Sequence, residues 1–161
     1  VITAVNGPAA GVGCSLALVG DIVVCAKSAY FLQAFRRIGL LPDGGSTWLL
    51  ARTIGRVRAM EMALFGDKVP AEKAMEWGMI NRIVEDDQLM PTALEMAEKL
   101  ASGPTIALSL ARELIWKACE SDFDEAIYDE RLAQRTAGRT DDFKEGVSAF
   151  LQKRPAEFKG K

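Results

Sequence analysis

The sequence predicts an α/β fold in its first half and an α-helical second half. Short β-branched runs alternate with glycine-rich loops and helical apolar spacing up to residue 84. From Asp86 onward, apolar residues recur at helical spacing through most of the remaining chain. No repeat or low-complexity segment interrupts the 161 residues. We therefore expect one globular domain with a mixed first half and a helical second half.

The first half is predicted to follow the order β-α-β-β-α-α-α-β. A loop of small residues occupies residues 7–13, and a loop rich in Pro, Asp and Gly occupies residues 40–46. Gly78 is expected to end the last helix of this half. The predicted strands are residues 1–5, 22–26, 29–32 and 80–84, and the predicted helices are residues 14–19, 47–51, 56–64 and 70–77.

The second half is predicted to form four helices, each with an apolar stripe on one face. The stripes include Leu94 with Leu100, and Phe123 with Ile127. Asp122 and Asp141 precede such segments, and aspartate is a favoured N-cap residue. Both are therefore predicted N-caps.

Composition excludes several classes of function. Twenty Lys and Arg against 22 Asp and Glu give a net charge of −2, which lacks the basic footprint of nucleic-acid binding. Charged residues such as Asp21 and Arg52 interrupt every apolar region before it reaches the roughly 18 residues of a membrane span, so a soluble protein is expected. The absence of histidine removes His-based triads and most transition-metal sites. No metal is expected, and a carboxylate is the leading candidate for catalysis.

The cysteines and the first residue suggest a setting for the chain. Cys14, Cys25 and Cys119 show no C-x-x-C spacing and are expected to be buried thiols in a reducing cytoplasm. Val1 opens directly into an apolar run without an initiator Met or a leader. We expect this segment to lie inside a longer, cytoplasmic protein.

The glycine loop admits two interpretations. A dinucleotide fingerprint is disfavoured because Leu16 occupies the place of its third glycine, and a nucleophile elbow at Ser15 lacks an activating histidine. A phosphate-binding P-loop lacks its G-K-[ST] sequence. What remains is either a backbone N–H site able to hold an oxyanion, or tight packing of a helix on a strand.

Two further features keep a functional and a structural alternative open. Asp43 places a carboxylate in an apolar, glycine-containing loop, where it serves as an acid/base group or as a turn or N-cap residue. The basic, aromatic tail around Lys153 is either a solvated end or a patch for a phosphate-bearing ligand.

Taken in order, four motifs resemble the enoyl-CoA hydratase/isomerase (crotonase) superfamily. They are AVNGPAAGVG at 4–13, GDI at 20–22, GLLPDGGST at 39–47, and Ala74 followed by WGMIN at 77–81, while 142–154 resembles the family's C-terminal signature. The resemblance implies that residues 1–85 are the C-terminal part of a spiral β-β-α core. It implies that 86–161 form a helical region for trimerisation and coenzyme A contacts, in a homotrimer or a dimer of trimers.

The resemblance also implies an oxyanion site. The substrate would be an acyl-CoA thioester, with no separate cofactor. The backbone N–H of Val12, between Gly11 and Gly13, would be the second donor to the thioester oxygen, and the first would come from a loop preceding this segment. Lys153 matches the family position whose cation meets coenzyme A phosphates.

Finally, the resemblance separates activities within the family. Its hydratases use two glutamates at positions that here hold Ser15 and Phe35, whereas Asp43 resembles the base of its double-bond isomerases. The match is strongest to the group that isomerises the ring epoxide in phenylacetate catabolism. An acyl-CoA isomerase is therefore predicted, with a hydratase-type lyase or a non-catalytic CoA-thioester-binding protein as alternatives. Phe31, Phe35 and Leu40 are expected to line an apolar pocket beside Asp43.

Overall fold

The computed structural model describes residues 1–161 and divides them into two compact units, Val1–Glu95 and Met96–Lys161. The first unit contains every strand. Its elements are β1 (Ile2–Val5), β2 (Pro8–Ala10), α1 (Val12–Leu18), β3 (Ile22–Ala26), β4 (Tyr30–Leu32), α2 (Ser46–Thr53), α3 (Gly55–Phe65), β5 (Val69–Pro70), α4 (Ala71–Glu76) and β6 (Arg82–Val84), with short 3-10 turns at Phe35–Ile38 and Asp86–Gln88. Helix α5 (Leu89–Ala101) begins in this unit. The predicted boundary after residue 85 stays a prediction.

The six strands form two three-stranded sheets. The first has the order β1-β3-β6 and is parallel throughout, with Val5 opposite Cys25. The second has the order β2-β4-β5, in which β2 and β4 are parallel and β5 is antiparallel to β4. Only two residues separate β1 from β2, so the chain passes from one sheet to the other before it enters α1.

The predicted strands and helices of the first unit are present, with ends that differ by up to two residues. Strand β2 is the exception, because residues 7–13 were expected to be a loop. Its residues, Pro8 to Ala10, have little intrinsic strand preference, and they are extended because they pair with β4. Helix α1 consequently starts at Val12 rather than at Cys14.

The core of the first unit forms between the sheets and the helices that follow them. Strands β3 and β4 supply its most deeply buried residues, among them Val24 and Phe31, and Leu50 and Met62 of α2 and α3 are also almost fully buried. Burying apolar side chains of this size stabilises a fold by about 1.5–3 kcal/mol each. This core fixes the places at which α1 and α2 begin.

The second unit contains α6 (Thr105–Ala118), α7 (Phe123–Ala137) and α8 (Asp141–Gln152), together with the end of α5. Four helices in the second half are thus confirmed. Lys117 of α6 pairs with Asp129 of α7 at 2.5 Å and with Glu125 at 3.1 Å. These contacts link α6 to α7.

The two predicted N-caps have different outcomes. The predicted N-cap at Asp122 is confirmed, because its carboxylate accepts a hydrogen bond from the backbone N–H of Glu125 at 2.9 Å. The predicted N-cap at Asp141 is wrong, since the cap of α8 is Thr140, whose hydroxyl oxygen accepts a hydrogen bond from the N–H of Phe143 at 3.1 Å. Thr140 has the extended backbone of a cap, and Asp141 is already the first helical residue.

The three thiols also differ from one another. Cys14 and Cys25 are buried as expected, whereas Cys119 is exposed, so its predicted burial is wrong. Cys119 follows the last residue of α6, where the chain leaves the helix at the surface.

None of the helices is long and apolar enough to cross a membrane.

Candidate active site

The glycine segment places the start of α1 beside strand β4. The N–H of Gly11 donates to the carbonyl of Leu32 at 2.8 Å, and Gly11 has a φ of 55°, a left-handed conformation that suits glycine. The N–H groups of Val12 and Gly13 lie in the first turn, where a helix has no acceptor for them. The segment therefore presents backbone donors at the place where the sequence predicted an oxyanion site.

The loop that carries Asp43 is held by its backbone, while the carboxylate is exposed. The carbonyl oxygen of Asp43 accepts hydrogen bonds from the N–H of Ser46 at 3.1 Å and from the hydroxyl of Ser15 at 3.2 Å. Gly44 and Gly45 follow with φ values of 58° and 83°. Two successive left-handed residues turn the chain sharply into α2.

This loop packs directly on the first turns of α1. A Cβ atom added to Gly44 would lie 3.4 Å from the hydroxyl oxygen of Ser15 and 3.6 Å from Cγ1 of Val12. The structure thus brings Gly44, the residue after Asp43, close to Val12, although about thirty positions separate them in the sequence. The loop that carries the Asp43 carboxylate therefore packs on the helix that begins at Val12.

The alternative role of Asp43 as the N-cap of the following helix is wrong. Helix α2 begins at Ser46, its N-cap is Gly45, and no side chain accepts a hydrogen bond from its first turn. The Asp43 carboxylate is therefore not engaged in ending or starting a helix.

The three apolar residues expected around Asp43 occupy different surroundings. The Phe35 ring lies over Gly11, since a Cβ atom at Gly11 would be 3.4 Å from its Cε2 and Cζ atoms. Leu40 is 58% exposed. Phe31 is fully buried in β4 and offers no surface to a ligand, so its assignment to the pocket is wrong. Phe31 and the following Leu32 both pack into the core of the first unit.

Sequence reasoning missed two residues of this site, Ser46 and Gln33. Both are fully buried, and the Ser46 hydroxyl lies 2.5 Å from that of Ser15 and 3.2 Å from Nε2 of Gln33. No local pattern marks either residue, because a serine after two glycines is most simply a loop residue. Their roles depend on contacts between distant segments.

Cysteine chemistry is not available at this site. Burial raises the pKa of the Cys14 thiol to about 12, and the Gln33 side chain opposes that shift only in part. Burial likewise raises the pKa of Cys25 to about 12. Both thiols are therefore protonated at neutral pH and are poor nucleophiles.

The structure also contains no group of three or more Cys, Asp or Glu side chains arranged to hold a metal ion.

Lys153, in the second unit, has an unusual backbone. Its φ is 54°, the one positive value at a residue other than glycine. The N–H of Lys153 donates to Phe150 O at 3.2 Å and that of Arg154 to Ala149 O at 3.1 Å, which is the Schellman pattern. That pattern favours glycine at the position Lys153 occupies. The lysine side chain is exposed.

The Enoyl-CoA hydratase/isomerase family matches residues 1–161, and the chain belongs to that family. It is 52% identical over 161 residues to the 1,2-epoxyphenylacetyl-CoA isomerase of Escherichia coli strain K12, covering all of this chain and 62% of that protein. It is 40% identical over 159 residues to the mitochondrial enoyl-CoA hydratase of Pongo abelii, covering 99% of this chain and 55% of that protein.

Solved structures agree with this assignment. An enoyl-CoA hydratase from Bacillus anthracis superposes with a TM-score of 0.95 at 35% identity, covering 99% of this chain and 62% of that one. The predicted α/β crotonase-like fold with a helical C-terminal region is therefore confirmed, as is the resemblance to the ring-epoxide isomerase group. The chain spans about three fifths of the length of these relatives.

Proposed function

We propose that the full-length protein is an acyl-CoA isomerase that shifts a double bond or isomerises a ring epoxide by proton transfer at carbon. The observation that carries this proposal is the packing of the Asp43 loop on the first turns of α1, through Ser15 and Gly44. That contact brings the loop of the proposed base onto the helix that carries the proposed donor. Similarity to the E. coli isomerase supports the same conclusion.

In the proposed mechanism, the thioester carbonyl oxygen of an acyl-CoA accepts a hydrogen bond from the N–H of Val12. The Asp43 carboxylate removes a proton from a carbon of the acyl group, and the negative charge moves to the thioester oxygen. The backbone donor stabilises that enolate as it forms. Asp43 then returns the proton to a different carbon, which moves the double bond. No cofactor beyond the substrate's own coenzyme A is required.

Other residues would shape and hold the substrate. Phe35 and Leu40 are proposed to contact the acyl group, with Gly11 and Gly13 allowing the thioester to approach the backbone closely. Lys153 is proposed to bind coenzyme A phosphates, because its exposed ammonium is a mobile positive charge. As in the family generally, a homotrimer or a dimer of trimers in the cytoplasm is the proposed assembly.

A hydratase is the second candidate, because the chain is also similar to proteins that carry that name. The family resemblance implies that its hydratases use two glutamates to add water. In this chain Ser15 and Phe35 stand at the corresponding positions. Neither side chain can act as a carboxylate base. We therefore propose that hydration is slow compared with isomerisation.

The test compares the full-length protein with its Asp43→Asn variant, which keeps the size of the side chain but cannot accept the proton. General-base groups contribute about 10²–10⁴-fold, so kcat should fall by that factor while affinity for a CoA thioester stays near its original value. Isomerisation and hydration of unsaturated acyl-CoAs are followed in parallel.

Asp67→Asn is the matched control, since Asp67 is also an exposed aspartate in a loop of the first unit. It should leave both rates unchanged. Wild-type isomerisation by Asp43→Asn would contradict the assignment of the base. Hydration as fast as isomerisation in the unmodified protein would favour the hydratase, and turnover of neither kind would favour a non-catalytic CoA-thioester-binding protein.

A further inference from the structure

A buried chain of polar side chains lies beneath the contact between the Asp43 loop and α1. Nε2 of Gln33 is 3.2 Å from the Ser46 hydroxyl oxygen, which is 2.5 Å from that of Ser15. The Ser15 hydroxyl is in turn 3.2 Å from the carbonyl oxygen of Asp43. All three side chains are at least 99% buried, so water cannot replace these contacts.

The direction of the hydrogen bonds follows from the groups themselves. The amide nitrogen of Gln33 only donates, and each hydroxyl has a single proton. Gln33 therefore donates to Ser46, Ser46 donates to Ser15, and Ser15 donates to the Asp43 carbonyl. In this arrangement every hydroxyl both accepts and donates, and the chain ends on the backbone of the residue that carries the carboxylate.

The Ser15 side chain supplies a hydrogen bond between the Asp43 loop and α1. The second hydrogen bond to the Asp43 carbonyl comes from the N–H of Ser46, the first residue of α2, which follows the loop directly. Ser15 lies on α1 three residues after Val12, so the same short helix carries both the hydroxyl that holds Asp43 and the proposed oxyanion donor. Ser15 therefore links the backbone of Asp43 to the helix that begins with Val12.

We propose that Ser15, oriented by Ser46 and Gln33, is a positioning residue that fixes Asp43 relative to the N–H of Val12 for the proton transfer. This inference rests on the proposed isomerase function and adds the means by which its base is held. Ser15 touches no reacting atom. Its effect on the rate passes entirely through Asp43, and this property separates it from a residue that only stabilises the fold.

The experiment is a double-mutant cycle in the full-length protein with Ser15→Ala and Asp43→Asn, followed by double-bond isomerisation of an unsaturated acyl-CoA. In the wild-type background, Ser15→Ala should lower kcat by about 10–100-fold with KM within about twofold, since small misplacements of a catalytic group have effects of this size. In the Asp43→Asn background, single-turnover rates at high enzyme concentration should show no further loss.

Three further variants complete the design. Ser15→Thr keeps the hydroxyl and should restore most of kcat. Ser46→Ala leaves the bond from Ser15 to Asp43 in place but removes its orienting partner, so a smaller loss is expected. Ser121→Ala removes a hydroxyl that donates to the Lys117 carbonyl at 3.1 Å in the second unit, and it should leave the rate unchanged. Thermal unfolding of each variant shows that it folds.

An unchanged kcat in a folded Ser15→Ala variant would overturn the proposal. An equal fold-loss in the Asp43→Asn background would also overturn it, because Ser15 would then act independently of Asp43. Failure of the proposed function has a different signature, since Asp43→Asn alone would then retain the wild-type rate. A loss confined to KM would assign Ser15 to substrate binding and would contradict the positioning role.

Discussion

Glycine at position 44 is the residue on which the site geometry most directly depends. Its φ of 58° is left-handed, and its Cα faces Ser15 and Val12 closely enough that an added Cβ would touch both. A left-handed backbone costs an ordinary residue about 1–2 kcal/mol. The left-handed backbone therefore favours glycine here, while the space around it would admit a Cβ atom at ordinary van der Waals distances.

We expect Gly44→Ala to lower the free energy of unfolding by about 1–2 kcal/mol, because alanine is strained at a left-handed φ. A change of backbone conformation that relieves this strain would move the adjacent Asp43, so kcat should fall as well. Gly55→Ala is the matched control, since Gly55 has a φ of 78° but open space around its Cβ position. It should lose similar stability without losing activity. Urea unfolding and steady-state kinetics on the full-length protein measure the two effects, and equal kcat losses in both variants would contradict this explanation.

Lys153 carries backbone strain that a glycine would relieve. Lys153→Gly should raise the free energy of unfolding by roughly 1 kcal/mol, because glycine adopts the left-handed conformation without steric cost. The same change removes the ammonium, so affinity for a CoA thioester should fall and should depend less on salt. Calorimetry at two salt concentrations checks the affinity. Lys153→Arg, which keeps the charge, should bind nearly as the original does, and unchanged affinity in Lys153→Gly would refute the phosphate contact.

Helix α8 is bound by hydrogen bonds to the segment that follows it. The buried carboxylate of Asp142 accepts from the backbone N–H groups of Lys159 at 2.7 Å and Gly160 at 2.9 Å. Glu145 binds the Arg154 guanidinium through both its oxygens, at 2.6 and 2.8 Å, and accepts from the N–H of Glu157 at 2.9 Å. The last residues of the chain are thereby fastened to the first half of α8.

Glu145 makes the attachment of the tail to α8 dependent on pH. Hydrogen bonds from Arg154, and then from the Glu157 backbone, lower the pKa of Glu145 from 4.5 to about 2. Because the folded pKa is the lower one, the stabilisation is fully present above pH 4.5 and is lost as the pH falls toward 2. We expect the protection of tail amides against hydrogen exchange, relative to the intrinsic rate at each pH, to fall across this range.

Glu145→Gln should show less protection of the Glu157 amide already at neutral pH, and its protection should change less between pH 4.5 and 2. Glu130→Gln, an exposed position on α7, serves as the control and should behave as the original protein does. If Glu145→Gln and the original protein exchange alike at pH 7, the ion pair does not hold the tail.

At the scale of the whole molecule, reactivity toward thiol reagents reports on burial. Cys119 is exposed, whereas Cys14 and Cys25 are buried with pKa values raised to about 12. The thiolate is the reactive form, so burial and a raised pKa both suppress the reaction. Cys119 should be labelled rapidly in the native protein, and the other two only on unfolding.

Mass spectrometry after timed labelling identifies the modified cysteines, and Cys119→Ser should remove the fast signal among these three. Labelling of Cys14 as fast as Cys119 would mean that α1 opens frequently. That result would also weaken the case for a rigid contact between α1 and the Asp43 loop.

The sequence by itself determined most of the elements and predicted which residues form the candidate site. Apolar periodicity specified the helices, because each must bury one face, and the β-branched runs specified β1 and β3. Local composition also placed a carboxylate at Asp43 and small residues at the start of α1. The order of the motifs identified the family before any contact was known.

Only the tertiary structure decided which of these segments meet. The Ser15 hydroxyl and the Asp43 carbonyl are 28 positions apart, and Ser15 and Ser46 are 31 apart, so no local pattern records their hydrogen bonds. Strand β2 exists because β4 pairs with it, and Phe31 is unavailable to substrate because it faces the core. Local preferences act within a few residues, whereas these features depend on burial and hydrogen bonding between segments that folding brings together.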